Sequence, residues 1–417
     1  MSFESLGVRA DLLRAVVEQG YDTPSPIQMR AIPSALAGKD LLASAQTGTG
    51  KTAAFALPLL QRLSATTPTK PRRVRALVLT PTRELTVQVT ESVRTYGRHL
   101  PVKCTAIYGG VAIGPQMRDL GRGTDILVAT PGRLMDHMQR GTIKLDHVEV
   151  LVLDEADRML DMGFLPAIER IVKTLPRERQ TLMFSATFSA PISKLANRFL
   201  HQPEVIETAR RNAAAAAVEQ TAYMVDPERK RELLSHLIGA DDWSQVLVFT
   251  RTKRGADKLA KQLEHDGIRA TAIHGNKSQA ARSKALKAFK HHSVRALVAT
   301  DVAARGIDID QLPYVVNFDI PSNPQDYVHR IGRTGRAGQD GAAVSLVCAD
   351  EARDFAGIRK LVETDIPAEI RDGFEPTNKR ATTQPKRSSR NTNQPGAPRH
   401  QRSNSGARSG GRQRTAR

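Results

Sequence analysis

Cysteine occurs twice in the 417 residues, at Cys104 and Cys348, far apart and without the close spacing of a metal-ligand or CxxC motif. A disulfide or zinc framework is therefore not expected, and both read as small buried residues in a reducing compartment. Long hydrophobic runs are also missing: no stretch approaches the roughly 18 continuous apolar residues of a membrane span. The opening MSFESLGVRA lacks the apolar block of a signal peptide. These absences point to a soluble cytoplasmic chain with no membrane partner. Aromatic residues make up only 4% of the sequence, with one tryptophan. Acidic residues are outnumbered, 43 against 62 Lys and Arg, for a formal net charge of +19. A surplus of that size attracts phosphate backbones before any motif is considered.

What the chain does have is rhythm. Short Val, Leu and Ile runs alternate with helical stretches: LLASA (41–45), ALVLT (76–80), ILVAT (126–130), VLVLD (150–154) and TLMFS (181–185). The pattern restarts in VLVFT (246–250), ATAIH (270–274), ALVAT (296–300), YVVNF (314–318) and AAVSLV (342–347). Continuous apolar strands separated by helices predict parallel sheets covered on both faces, so an α/β protein of two lobes is expected. The lobes are placed at 1–208 and 221–372. Residues 209–220, small and polar with five consecutive alanines, read as a linker in which a helical turn can form. The basic tail is placed at 373–417. From Pro376 to Arg417 it holds eleven Lys or Arg, no Asp or Glu and no aromatic residue. Such a segment buries too little apolar surface to offset its ordering entropy, and disorder is expected.

The run ending at Ser44 leads into Ala45-Gln-Thr-Gly-Thr-Gly-Lys-Thr52 and then a helical sequence, the pattern of a phosphate-binding loop. Gly48 and Gly50, beside Thr47 and Thr49, let backbone N–H groups curl around phosphate oxygens. Lys51 reaches the outer phosphates, and the Thr52 hydroxyl can ligate magnesium. Ala45 stands where the general pattern has glycine, which an ordinary negative φ tolerates. About a hundred residues on, VLVLDEAD (150–157) places carboxylates at the end of an apolar strand. Asp154 is suited to hold magnesium through water, and Glu155 to orient and deprotonate an attacking water. Alone, such a pair is a solvated turn or a helix cap; with the loop it becomes a hydrolysis site.

DEAD (154–157) and AQTGTGKT together resemble the DEAD-box RNA helicases of superfamily 2. The resemblance extends, in order, through Gly20-Tyr-Asp-Thr-Pro-Ser-Pro-Ile-Gln28, Pro81-Thr-Arg-Glu-Leu85, Gly109-Gly110, Thr130-Pro-Gly-Arg133, Ser185-Ala-Thr187, Ala303-Ala-Arg-Gly-Ile-Asp308 and His329-Arg-Ile-Gly-Arg-Thr-Gly-Arg336. It covers Phe3 to about residue 370. The compact lobes, the opening residues and the basic tail look most like the RhlE-type bacterial subgroup.

The resemblance implies two RecA-like lobes and an RNA-dependent ATPase using ATP and Mg2+. By it, Gln28 reads adenine, Tyr21 packs on the base, Phe3 is the upstream aromatic, and Gly306 and Asp308 contact the nucleotide, Asp308 at the ribose. Arg333 and Arg336 match the arginine fingers, while Ser185, Thr187, Asp157, His329 and Arg330 match positions that couple the lobes. Pro81, Thr82, Arg83, Gly110, Thr130 and Arg133, with Arg251, Gly275, Thr300 and Asp301, match the strand-binding face. Most are small or hydroxylic, suited to phosphate contact rather than base reading.

Plain alternatives exist for several positions. Gly109 and Gly110 suit an ordinary turn, Ser185 and Thr187 a cap. Arg330, Arg333 and Arg336, three residues apart, predict one shared face, which solvent alone can account for. The tail is expected to add phosphate contacts or to engage ribosome-assembly or RNA-decay proteins. A DNA-directed motor and an ATP-gated RNA clamp are the competing classes.

Overall fold

The computed structural model describes residues 2–44, 49–66, 70–186, 188–208, 218–304, 312–335, 341–362 and 365–377. Seven strands build the first sheet: β1 (Leu41–Ser44), β2 (Ala76–Leu79), β3 (Cys104–Ile107), β4 (Ile126–Ala129), β5 (Val150–Leu153), β6 (Gln180–Ser185) and β7 (Glu204–Glu207). Seven more build the second: β8 (Glu219–Met224), β9 (Val246–Phe249), β10 (Ala270–Ile273), β11 (Ala296–Ala299), β12 (Tyr314–Asn317), β13 (Ala342–Val347) and β14 (Ala368–Glu369). Every pairing is parallel.

The spatial order is β3-β4-β2-β5-β6-β1-β7 in one sheet and β10-β11-β9-β12-β13-β8-β14 in the other. Subtracting seven from each number of the second order yields the first, so the two lobes repeat one RecA-like topology. Leu, Val and Ala in β1, β2, β4, β5, β9 and β11 are buried along their whole length, as strands covered by helices on both faces must be. Helix Lys51–Ser64 packs Phe55 against Phe184 of β6, ring centroids 5.4 Å apart, a separation typical of favourable aromatic pairs. Cys104 and Cys348 are both buried. Among the described residues no helix is long and apolar enough to cross a membrane.

Each run read as a strand contains one, but two boundaries shift. Glu219 and Gln220 belong to β8 rather than to the linker, paired with Ala342 and Ala343; two polar side chains hide a strand whose backbone is fully laddered. Within the segment assigned to the tail, Gly373–Thr377 folds back onto the second lobe. Phe374 sits 4.6 Å beneath the Arg229 guanidinium and against His236, and Thr377 donates its N–H and hydroxyl to Asp226. The aromatic residue at 374 supplies packing that the rest of the tail lacks. The alanine run within 209–217 and the expected disorder of 378–417 lie outside the described residues.

Candidate active site and nucleic-acid interface

In a parallel sheet the loops at the carboxyl ends of the strands share one edge, and adjacent strands bring their loops together. β5, β6 and β1 are neighbours, so Asp154–Asp157, Ser185–Ala186 and the Thr49–Gly50 end of the loop before Lys51 lie at one end of the sheet. On the other side of β5, the adjacent strands β2, β4 and β3 carry the loops with Pro81–Arg83, Thr130–Arg133 and Gly109–Gly110. In the second lobe the equivalent strands β9, β11 and β10 carry Arg251, Thr300–Asp301 and Gly275. The ten expected strand-binding positions thus occupy topologically matched ends of the two sheets.

Lys51 opens its helix with the ammonium buried, and neither its Nζ nor Asp154 Oδ1 has a hydrogen-bond partner among the described residues. A buried cation and a buried carboxylate oxygen left in this way suit an anionic group accompanied by a divalent ion. Burial pushes the Asp154 carboxyl up to about 6, with Lys51 pulling against it. For Glu155 burial works in the same direction, but Arg158, Lys51, Arg333 and His329 outweigh it and hold the carboxyl below its usual range. Glu155 also sits at φ 54°, ψ 52°, left-handed backbone that costs a non-glycine residue on the order of 1–3 kcal/mol. Arg158 Nη1 lies 3.3 Å from its carboxylate.

The first lobe braces this loop from the side. Gln28 Nε2 donates to the Gly50 carbonyl at 3.1 Å, its Oε1 accepts the Ser25 N–H, and the Ser25 hydroxyl donates to the Thr49 carbonyl at 2.7 Å. Gly50 has φ +86°, and a Cβ there would lie 2.4 Å from Gln28 Nε2, so a side chain at position 50 meets left-handed backbone strain and pushes on the Gln28 amide. Phe3 is a core residue, whereas Tyr21 is half exposed. Thr52 is partly buried one residue into the helix.

Three contacts join segments that are remote in sequence, and a fourth is a local cap. Asp157 Oδ2 accepts the Ala186 N–H at 3.1 Å, linking the last DEAD residue to the loop after Ser185, itself fully buried. Arg83 lies against Gly110, where a Cβ would come within 1.8 Å of its Nη1. Arg133 donates to Gln116 Oε1 at 3.1 Å and to the Val111 carbonyl at 2.9 Å. Thr82 caps helix Arg83–Tyr96 through the Leu85 N–H. Pro81, Thr130 and Thr300 are buried beside these loops, and Gly275 is exposed, where a Cβ would lie 3.6 Å from Lys253 Cε.

The second lobe reaches the same place. Arg158 of the first lobe and Asp326, His329, Arg330 and Arg333 of the second line one small pocket. Helix Pro324–Ile331 ends before Arg333, yet Arg330 and Arg333 both line this pocket and both are buried, not the solvated face that spacing alone allows. Arg330 turns inward instead: it grips Asp301 with two hydrogen bonds of 2.6 and 2.8 Å, donates to Asn317 and the Asp319 carbonyl, and lies 5.1 Å over the Phe249 ring. The Asp301 carboxylate, expected on the strand-binding face, is therefore neutralised from within. Arg251 is held by Asp319 Oδ2 and the Ile320 carbonyl, with its side chain half exposed. Ala45, Thr47, Gly48, Thr187, Gly306, Asp308 and Arg336 lie outside the described residues.

The sequence reading omits the residues that join the lobes. Glu84 accepts from Gln279 Nε2 at 3.0 Å and pairs with Arg282 at 2.9 Å, with Glu84 and Arg282 both buried. Arg158 is the fourth. Arg158 stands directly after DEAD and Glu84 inside the Pro81–Leu85 run, neither with a joining role assigned; Gln279 and Arg282 carry no signal that a single chain can reveal.

Comparison with known proteins agrees with this geometry. Residues 25–195 match the DEAD/DEAH box helicase model and residues 229–338 the helicase conserved C-terminal domain. ATP-dependent RNA helicase CshA of Listeria monocytogenes is 45% identical over 87% of this chain and 68% of its own length. DEAD-box ATP-dependent RNA helicase CshA of Bacillus subtilis is 43% identical over 87% and 73%. Among solved structures, S. cerevisiae Dbp5 bound to RNA and ADP BeF3 superposes with TM-score 0.80 at 31% identity, covering 89% of this chain and 96% of that one. Mss116p bound to ssRNA and AMP-PNP superposes with TM-score 0.81 at 28% identity, covering 89% and 80%. The relatives are CshA-type, so the RhlE-type reading, drawn from short ends and a compositional tail rather than from site residues, is not supported. By its two matching models and its identity along most of its length, the chain belongs to the DEAD-box ATP-dependent RNA helicases.

Proposed function

We propose that the chain is an RNA-dependent ATPase that locally unwinds or remodels RNA duplexes and RNA–protein complexes, hydrolysis being coupled to closure of its two lobes. The observation that carries this reading is the approach of His329 and Arg333 from the second lobe to Glu155 of the first. Chemistry that needs both lobes runs only when they are together.

Lys51 and the loop before it hold the outer phosphates of ATP, and Gln28 with Tyr21 selects adenine. Thr52 and Asp154 are the residues that would hold Mg2+, which when bound supplies positive charge to the phosphates. Glu155, kept ionised by its four cationic neighbours, accepts the proton of the attacking water, and Arg333 with Arg336 stabilises charge on the γ-phosphate. RNA lies along the loops after β2, β3 and β4 and after β9, β10 and β11. Arg83, Arg133 and Arg251 supply charge there, while the small and hydroxylic positions admit the backbone closely. ATP and RNA favour the same joined lobes, so each raises the other's affinity by one coupling free energy. Hydrolysis removes the bridge and releases the strands.

Separation of a short RNA duplex tests this: ATP is expected to part the strands, with an RNA duplex served better than DNA of matched sequence. A complex that persists on RNA without strand separation favours the clamp; equal service of DNA favours the DNA motor. The tail carries charge without stacking groups, which supports added phosphate contacts. Truncation after residue 375 is expected to weaken RNA binding and flatten its salt dependence by about 0.7 in log–log slope per lost contact. Anisotropy titrations across salt concentrations measure that slope. Cytoplasmic location and roles in ribosome assembly or RNA decay fit a basic RNA-remodelling chain.

A further inference from the structure

One edge of the first sheet is β3, whose backbone is not fully capped by the described residues. Lys103 and Ile107 carbonyls bond to the β4 side, at Ile126 and Thr130. Because alternate residues of a strand direct their backbone groups to opposite sides, Cys104, Ala106 and Tyr108 direct theirs to the open edge. Two of those groups are already taken. The Cys104 carbonyl accepts from Arg94 Nε and Nη2 at 3.2 and 2.9 Å, and the Tyr108 carbonyl accepts from Gln116 Nε2 at 3.0 Å. Between these caps the Ala106 N–H and carbonyl have no partner among the described residues. The edge opens into a cleft of about 450 Å3 walled on one side by Pro115, Gln116 and Asp119 of helix Ile113–Gly121.

We propose that this cleft takes an extended acidic peptide segment of a partner protein, which adds to β3 as an eighth strand and bonds through Ala106. An unsatisfied strand edge inside a cleft is the geometry of strand addition. The choice of partner follows from charge. Arg94, Lys103 and Arg122 line the cleft against a single carboxylate, Asp119. The chain's own tail, with its eleven Lys or Arg and no acid, is repelled, and a second copy pairing β3 to β3 would set these cations against themselves. An apolar strand gains nothing from the rim, so the charges both guard the edge and select what docks. RNA offers no N–H and carbonyl pair in strand register, so the backbone groups favour a peptide over a nucleic acid.

The test uses the full chain and a labelled synthetic peptide of about six residues, the usual strand length, alternating glutamate and valine, with a lysine–valine peptide as counterpart. The glutamate peptide is expected to bind and to slow amide exchange in 104–108. Ala106→Pro is expected to abolish binding, since proline at an open edge removes the docking donor and leaves the β3–β4 ladder whole; unchanged RNA-stimulated ATP turnover shows that this variant is folded. Lys103→Glu with Arg122→Glu, both on the surface, is expected to weaken binding at least about tenfold. The proposal is overturned if the lysine peptide binds as well, if binding survives both sets of substitutions, if a short RNA displaces the peptide, or if the chain self-associates through this edge.

Discussion

Replacing Glu155 with Gln is expected to lower ATP turnover about 10²- to 10⁴-fold, the range for loss of a positioned general base, while ATP binding persists. The carboxylate is buried, its backbone is strained, and Arg158, Lys51, Arg333 and His329, from both lobes, hold its pKa below the usual range. That arrangement is costly unless the negative charge is used. Glutamine keeps the shape and removes the proton acceptor, so the loss should fall on kcat and leave nucleotide affinity near that of the unsubstituted chain. Single-turnover hydrolysis beside a fluorescent-nucleotide titration separates the two. A variant that turns over normally assigns the base elsewhere.

Arg333→Ala carries the second large effect. Its guanidinium comes from the opposite lobe, and the loss expected of a finger stabilising phosphoryl-transfer charge is about 10³- to 10⁵-fold. ATP binding is spared, because the phosphate loop and Lys51 belong wholly to the first lobe. Arg330→Ala should behave differently: Arg330 holds Asp301, Asn317 and Asp319 together and lies over Phe249, so its removal unsettles the second lobe. The contrast is measured by thermal melting together with turnover; an Arg333→Ala protein that melts early but hydrolyses normally would reverse the two roles.

The fold was legible wherever burial on both faces made a strand uniformly apolar, as in VLVL of β5 or ALVA of β11. It was hidden at the sheet margins. EVIE of β7, EQTAYM of β8 and the two residues of β14 are half exposed or polar, and CTAI of β3 is an edge strand that looks like any short segment. Nothing in their periodicity competes with a loop reading. The site divides in a similar way. Lys51, Asp154 and Glu155 were legible because each stands close after an apolar strand, in a motif whose residues suit the proposed phosphate and metal chemistry. Glu84 with Gln279 and Arg282 is made by the meeting of lobes, and no local pattern encodes a partner about two hundred residues away. Arg330 shows the remaining limit: the spacing of three says nothing of the Asp301, Asn317 and Asp319 groups that hold it in the interior.

Binding of one strand and burning of one triphosphate are held here to be a single event, shared between Glu155 on one lobe and Arg333 on the other. ATP consumption at saturating nucleotide, followed as RNA is titrated in, should climb from a low basal rate to a plateau. A rate that starts at that plateau with no RNA present would mean that the lobes close, and the chemistry runs, without the strand.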